Sequence, residues 1–112
     1  MEMKLEMDGT VAIVIASGSI DALTAPELAN FINLQIQDGH TRLVADLAGV
    51  DYTSSAGLRV LLGAVKETRS KGGDLRLANI QPDVKKVLDL SGFTSILKHF
   101  PDRAAAIASY NG

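Results

Sequence analysis

The sequence predicts a single α/β domain, with a mixed β-sheet and helices packed on it. The chain has 112 residues, a common length for one domain, and 46% of them are hydrophobic, as in globular proteins. Runs with the two-residue period of strands alternate with runs of helical spacing. The predicted order, over one domain of residues 1–112, is β-β-α-β-α-β-α-β-α. Strands joined by a helix are expected to be parallel, after an initial hairpin.

Composition excludes several classes of protein. The chain has no cysteine, which rules out disulfides and thiolate metal sites. Its net charge of −2, with both signs interspersed, leaves no basic patch for nucleic acid. The longest apolar stretch, Val11 to Ala16, is too short to span a bilayer, and the first residues lack the order of a signal peptide. We therefore expect a soluble, cytoplasmic protein with no membrane or nucleic-acid partner.

The first two strands are predicted at Met3–Met7, which alternates apolar and polar residues, and at the β-branched run Val11–Ala16. Asp8-Gly9 between them is a tight-turn signal, so the pair should form a hairpin.

The first helix is predicted to begin at Thr24 and to run to about Gln37, where Asp38-Gly39 ends it. Thr24 is a suitable N-cap because Pro26 lies in the first turn and Glu27 stands three residues later, as a capping box requires. The predicted inner face consists of Leu28, Phe31, Ile32 and Ile36.

The second half of the chain repeats the strand–helix alternation. A third strand at Leu43–Leu47 is followed by a turn from Asp51 and a helix from about Ala56 to Lys71, closed by Gly72-Gly73. The next predicted elements are a strand at Asp74–Ala78 and a helix that begins at Pro82 and is ended by Ser91-Gly92, with Val84, Val87 and Leu88 inward. A short last strand is predicted at Ile96–Phe100, followed by a helix from Arg103 to about Ser109 capped by Asp102.

Two adjacent hydroxyls, Ser54 and Ser55, stand where the third strand leads into the second helix. Backbone N–H groups at a helix start lack partners, and the dipole there favours negative charge. A serine at this point can cap the helix, or it can carry a phosphate. Small Ala56 and Gly57 would leave room for another protein's active site to approach.

A hydrolytic serine would need an adjacent base, an oxyanion hole and a nucleophile elbow. Thr53 stands where the elbow requires glycine, and His40 is expected at the opposite end of the sheet; His99 is the only other histidine. We therefore expect no enzymatic activity. No nucleotide motif or metal-ligand spacing occurs in the sequence either.

Asp21 follows the second strand and is expected on the same edge of the sheet as Ser55, because loops after parallel strands share one edge. It can bond its own backbone or shape the surroundings of the serine. Asp46 and Asp51 are also expected near this edge. Together the three carboxylates suggest a receiver domain, but the hairpin lacks the acidic pair that would hold magnesium.

The outer face of the second helix is low in charge for a solvated surface. The residues that form this strip are Val60, Gly63, Ala64 and Glu67, opposite Leu58, Leu61, Leu62 and Val65. Two interpretations stand: the strip docks a partner helix, or the helix Pro82–Leu90 covers it.

Three segments together resemble the STAS domain of bacterial anti-sigma factor antagonists, over essentially the whole chain. They are Gly18-x-Ile20-Asp21-x-x-Thr24-Ala25, Asp46-Leu47 and Ser54-Ser55-Ala56-Gly57-Leu58. Aligned on Gly57-Leu58, the family's phosphorylated serine falls on Ser55, and Ser54 replaces the family's aspartate. Ser54 is therefore a competing phosphorylation site. Arg59 stands where the best-known members have glycine.

The resemblance implies a non-enzymatic switch protein without a cofactor. Unphosphorylated, it would bind an anti-sigma factor that is also a serine kinase and so release the sigma factor. Phosphorylation of Ser55 would end binding, and a metal-dependent serine phosphatase would restore it. The implied contact residues are Asp21, Thr24, Ser54, Ala56, Gly57, Arg59 and the helix strip. The alternative is a STAS-type module that binds a small ligand or nucleotide, or acts as a scaffold, without serine phosphorylation.

Overall fold

The computed structural model describes residues 1–111 as one mixed sheet with helices on both faces. The strands are β1 (Glu2–Asp8), β2 (Val11–Ile20), β3 (Arg42–Thr53), β4 (Asp74–Ala78) and β5 (His99–Phe100). The helices are α1 (Ala25–Gln37), α2 (Ser55–Ser70), α3 (Pro82–Leu90) and α4 (Arg103–Ala108), and a 3-10 turn lies at Phe93–Ser95. The strand order is β1-β2-β3-β4-β5; only β1 runs antiparallel to its neighbour. This confirms the predicted fold and element order.

The sheet separates two apolar layers. Helices α1, α2 and α3 cover one face, where Leu28, Leu61 and Leu88 pack on the sheet in the main core. Helix α4 covers the other face with Ala106, against a smaller cluster that includes Val44. Because both faces are covered, β2 is apolar without alternation over Val11–Ala16, and β3 is buried on both faces over Leu43–Leu47.

The hairpin forms as predicted. Asp8 pairs with Val11, which leaves Gly9 and Thr10 as a two-residue loop. Gly9 has a φ of +59°, and glycine at the first loop position is typical of a type II′ turn, whose twist matches the strands. Glycines with positive φ also follow α1, α2 and α3, at positions 39, 72 and 92.

The predicted capping box at Thr24 is wrong. The Thr24 hydroxyl makes no cap bond; it donates to the Ser19 carbonyl oxygen at 2.8 Å and accepts from Asp21 N. Asp21 Oδ1 instead accepts from the backbone N–H groups of Leu23 and Thr24, both at 2.9 Å. The cap therefore lies three residues earlier, because Thr24 already has helical φ and ψ and cannot turn its side chain back onto the first turn.

Strands β2 and β3 are longer than predicted, and Asp51 to Thr53 belong to β3 rather than to a turn. The register of β2 and β3 shifts twice, since β3 advances more residues than β2 between Ile15 and Ser19. Gly49 allows one of these irregularities, because a Cβ there would lie 2.7 Å from Ser17 Cβ. Such bulges interrupt the two-residue period, so alternation in the sequence does not indicate the full length of these strands.

The last strand is shorter than predicted and covers only His99–Phe100. Leu97 enters the core, and the preceding residues form the 3-10 turn instead of pairing. Asp102 caps α4 as predicted, with its carboxylate accepting from Ala105 N at 2.7 Å.

Candidate functional site

The carboxyl ends of β2 and β3 meet in one edge, hereafter the rim, formed by residues 20–24 and 52–57. Ile20 pairs with Thr53, and the Ile20 carbonyl oxygen accepts from Ser54 N at 2.7 Å. The rim thus brings the Asp21 loop beside the start of α2, as predicted. His40 precedes β3 and therefore lies at the opposite end of the sheet.

Ser54 is the N-cap of α2. Its backbone is extended, and its hydroxyl oxygen accepts from Gly57 N at 3.4 Å. An N-cap hydroxyl satisfies one of the backbone N–H groups that the first helical turn leaves without a partner. The first of the two hydroxyls is therefore engaged in holding the helix.

Ser55 is the first residue of α2, and it is exposed. Within residues 1–111 its hydroxyl has no hydrogen-bond partner. The first turn carries no acidic residue, so the partial positive charge of the helix start is uncompensated. Exposed Arg59, one turn further on the same face, has no ion-pair partner among the described residues. This arrangement can hold an added anion on Ser55.

Asp21 and Thr24 organise the loop between β2 and α1. The backbone N–H groups of Thr24 and Leu23 hold the pKa of the Asp21 carboxyl below its usual range. Thr24 is half-buried, with its hydroxyl fully engaged inside the loop. Of the alternatives for Asp21, the structure matches the carboxylate that bonds its own backbone.

Gly57 does not leave room for an approaching protein, contrary to the prediction. It is buried, and a Cβ there would lie 2.6 Å from Ile20 Cγ2 and overlap Thr53 Oγ1. Ala56 is half-buried and packs against the main core. The small residues at this point let α2 sit directly on the ends of β2 and β3.

The strip on α2 is divided. Ala64 is buried and Val60 half-buried, in a cleft between α2 and α1 that Ala29 and Ile32 also line. Helix α1, not α3, therefore covers this side, because the two helices lie side by side on one face of the sheet. Gly63 is exposed.

Glu67, the last residue of the strip, is also exposed and pairs with Lys71 at 3.6 Å. An exposed pair one helical turn apart contributes little to stability. This part of α2 is a solvated surface.

Two exposed apolar side chains on the rim were missed by the sequence analysis. Leu23, in the loop before α1, is 85% exposed, and Tyr52, near the end of β3, is 51% exposed. Leu23 lies three residues after Ile20, whose carbonyl oxygen accepts from Ser54 N, and Tyr52 pairs with Ser19 in the neighbouring strand. The sequence did contain one signal of an exposed apolar side chain here: Leu23 does not fit the helical spacing of the inner face of α1.

The predicted grouping of three carboxylates is wrong for Asp46. This side chain is buried on the α4 side of the sheet and accepts from Ala48 N, Asn79 Nδ2 and Arg103 Nη2 at 2.9–3.1 Å. The strand continues for seven residues beyond it, so Asp46 never reaches the rim. In the described part of the chain, no cluster of three His, Asp or Glu side chains could hold a metal ion.

Asp46 makes the stability of the fold sensitive to acid. Burial opposes its ionisation, but the hydrogen bonds from Ala48, Asn79 and Arg103 outweigh burial and keep its pKa below the usual value. A carboxyl whose pKa is lower in the folded than in the unfolded chain stabilises the fold at pH values above its unfolded pKa, which is about 4. That stabilisation is lost as the pH falls through the folded pKa. D46N should cost about 1–3 kcal/mol at neutral pH and should flatten the loss of unfolding free energy below about pH 5.

Urea titrations across this pH range would measure the effect. The matched control is D38N, at the exposed end of α1, which removes the same charge. An equal acid dependence in wild type and D46N would contradict the prediction.

The sheet order and the helices on both faces define a small mixed α/β domain shared with solved proteins. An anti-sigma factor antagonist candidate from Thermotoga maritima superposes with a TM-score of 0.93 at 19% identity, covering 98% of this chain and 95% of the other. The phosphorylated form of the Bacillus cell fate determinant SpoIIAA gives a TM-score of 0.73 at 21% identity, covering 96% and 99%.

Sequence comparison identifies the family. The STAS domain model matches residues 2–106. A candidate anti-sigma factor antagonist of Bordetella bronchiseptica, BtrV, is 39% identical over 110 residues, which cover 96% of this chain and 95% of the relative. The chain belongs to the STAS domain family. None of the helices in residues 1–111 is long and apolar enough to cross a membrane.

Proposed function

We propose that this protein is an anti-sigma factor antagonist whose binding is switched off by phosphorylation of Ser55. Its relatives carry the name anti-sigma factor antagonist. The observation that supports the switch is that the two serines differ in role. Ser54 caps α2, while Ser55 is exposed and its hydroxyl has no hydrogen-bond partner within residues 1–111. A kinase reaches the second serine without breaking the helix cap.

The partner is an anti-sigma factor that is also a serine kinase. The unphosphorylated antagonist binds it, and the sigma factor is released. The kinase uses its own ATP to phosphorylate Ser55, and a metal-dependent serine phosphatase reverses the reaction. The antagonist needs no cofactor, catalyses nothing itself and acts in the cytoplasm.

The docking surface surrounds Ser55. Exposed Leu23 and Tyr52 supply apolar area on the rim, and exposed Arg59 supplies a positive charge one turn along α2. Exposed apolar side chains grouped around a polar centre are typical of interaction surfaces. Gly63 extends the surface along α2, where the lack of a side chain permits a flat partner surface to approach the helix.

A phosphate on Ser55 acts on this surface by charge and by volume. It adds about −1.5 to −2 charge and three acceptor oxygens at neutral pH. The helix start and Arg59 stabilise the phosphate on the antagonist itself, so the fold need not change. Binding is lost because the partner, which docks closely there, must bury the new charge.

Phosphopeptide mapping of the protein from its native host tests the proposal. We expect one phosphate, on Ser55, in wild type and in S54A, and none in S55A. S54A should still be phosphorylated by the kinase on Ser55. Loss of the cap should lower the free energy of unfolding by only about 0.5–1 kcal/mol, because the cap bond is long. A phosphate on Ser54 in wild type, or none on Ser55 in S54A, would refute the assignment.

A further inference from the structure

The first strand of the sheet has an open edge. In residues 1–111, β1 pairs with β2 along its whole length and has no neighbour on its other side. Its apolar residues are only partly covered: Leu5 is 37% exposed and Met7 48% exposed. A seven-residue edge strand with exposed apolar side chains is a template for pairing with another strand.

The hairpin fixes which backbone groups of β1 point outward. A two-residue loop is closed by a hydrogen-bonded pair, here Asp8 and Val11. Hydrogen-bonded and non-hydrogen-bonded pairs alternate along an antiparallel ladder. The even residues of β1 therefore bond to β2, and the free N–H and C=O groups belong to Met3, Leu5 and Met7.

The same three residues form an apolar row. They stand opposite Ala16, Val14 and Ala12 of β2, which lie in the main core, so the row is on the α1 side of the sheet. On α1, Leu34 is 55% exposed. It stands two residues after the sheet-facing Ile32, so it points away from the sheet and is not part of this row.

The sequence of β1 is complementary to itself when two copies run antiparallel about Leu5. Leu5 then faces Leu5, and each Met3 faces Met7 of the second copy, which keeps the apolar residues together. On the other face each Lys4 stands opposite Glu6, and opposite charges in cross-strand pairs are stabilising. Only the end pairs, Glu2 with Asp8, bring like charges together.

Other two-fold registers fit less well. Pairing requires the outward-bonding odd residues to face each other, so the register can shift only in steps of two. Shifting the register by two residues in one direction puts Lys4 opposite Lys4 of the second copy. The same shift in the other direction puts Glu6 opposite Glu6. Like charges directly opposite are destabilising, and each step also leaves residues of the strand unpaired.

We propose that β1 is a homodimerisation edge: two copies pair antiparallel about Leu5, and their sheets join into one continuous sheet. Such an interface uses one surface twice and closes on itself, so it gives a dimer and not a fibre. Glu6 is held in place by Arg103, whose Nη1 donates to it at 2.6 Å, while its side chain stays 56% exposed. The inference goes beyond the proposed function and uses no residue of the rim.

Single-cysteine variants test both the contact and its register, because the chain has no cysteine of its own. L5C should form a disulfide-linked dimer under mild oxidation, since the Cα atoms of a hydrogen-bonded pair lie about 5.5 Å apart, within disulfide range. K4C and E6C should not cross-link with themselves, because each lies about 7 Å along the strand from its own copy. A mixture of K4C and E6C should cross-link.

Sedimentation of the reduced proteins gives an independent measurement. Wild type should shift with concentration from 11.8 kDa towards twice that mass. L5K, which sets two lysines face to face, should stay monomeric, whereas L90K, a matched change on exposed α3, should dimerise like wild type. A monomer at every concentration, dimerisation of L5K, or K4C cross-linking as readily as L5C would overturn the proposal.

Discussion

Replacing Ser55 with aspartate should weaken binding to the anti-sigma factor by about a hundredfold or more, which corresponds to about 3 kcal/mol. The carboxylate places a charge in the proposed docking surface, on the exposed first residue of α2. A partner that packs there must either bury that charge or keep water at the contact. Isothermal titration calorimetry against the host's anti-sigma factors, expressed one by one, would measure the change in Kd.

The same substitution should leave the fold intact or slightly more stable. Aspartate at the first position of α2 interacts favourably with the helix start, typically by about 0.3–1 kcal/mol. No acidic residue lies nearby in that turn to repel it. Loss of binding with an unchanged or raised Tm would therefore separate the switch from simple unfolding.

Two variants control for the chemistry of the change. S55A removes the hydroxyl without adding charge and should bind about as well as wild type. Q37E adds one negative charge at the exposed far end of α1 and should also bind normally. Undiminished binding by S55D, or an equal loss in Q37E, would contradict the proposed switch.

Much of the fold followed from the sequence because its signals are local. The hairpin depends on Asp8-Gly9, and the helix ends depend on glycines that adopt positive φ. Burial on both faces of the inner strands gave unbroken apolar runs such as Val11–Ala16. These features do not depend on which elements become neighbours.

The misassigned parts of the site depend on contacts that capping rules and periodicity along one element do not contain. Thr24 satisfies the local rule for an N-cap, but its hydroxyl is taken by Ser19 and Asp21 of the same loop. Asp46 was assigned to the wrong place because β3 runs on through two irregularities after it. The covering of Ala64 by α1 follows from the placement of helices on the sheet, which periodicity along α2 does not contain.

Gly57 and Gly63 stand six residues apart in α2 and should respond in opposite directions to alanine. A Cβ at Gly57 would lie 2.6 Å from Ile20 Cγ2 and overlap Thr53 Oγ1, so the start of α2 must move. Overpacking of this kind typically costs about 1–3 kcal/mol. A Cβ at exposed Gly63 meets no atom of the described residues within 4 Å apart from its own stretch of helix. G63A should therefore gain up to about 1 kcal/mol from helix propensity alone.

The two variants together test whether Gly57 is present for close packing rather than for access by a partner. Alanine favours the helix over glycine at both positions, so the larger part of the difference in unfolding free energy reports the steric conflict at the rim. We expect G57A to unfold about 10 °C below G63A in thermal melts. Its Ser55 should also be a poorer kinase substrate, because the first turn of α2 is displaced from Ile20. Equal melting temperatures for the two variants would mean that α2 accommodates a side chain at Gly57. The glycine would then have to be explained by what docks there.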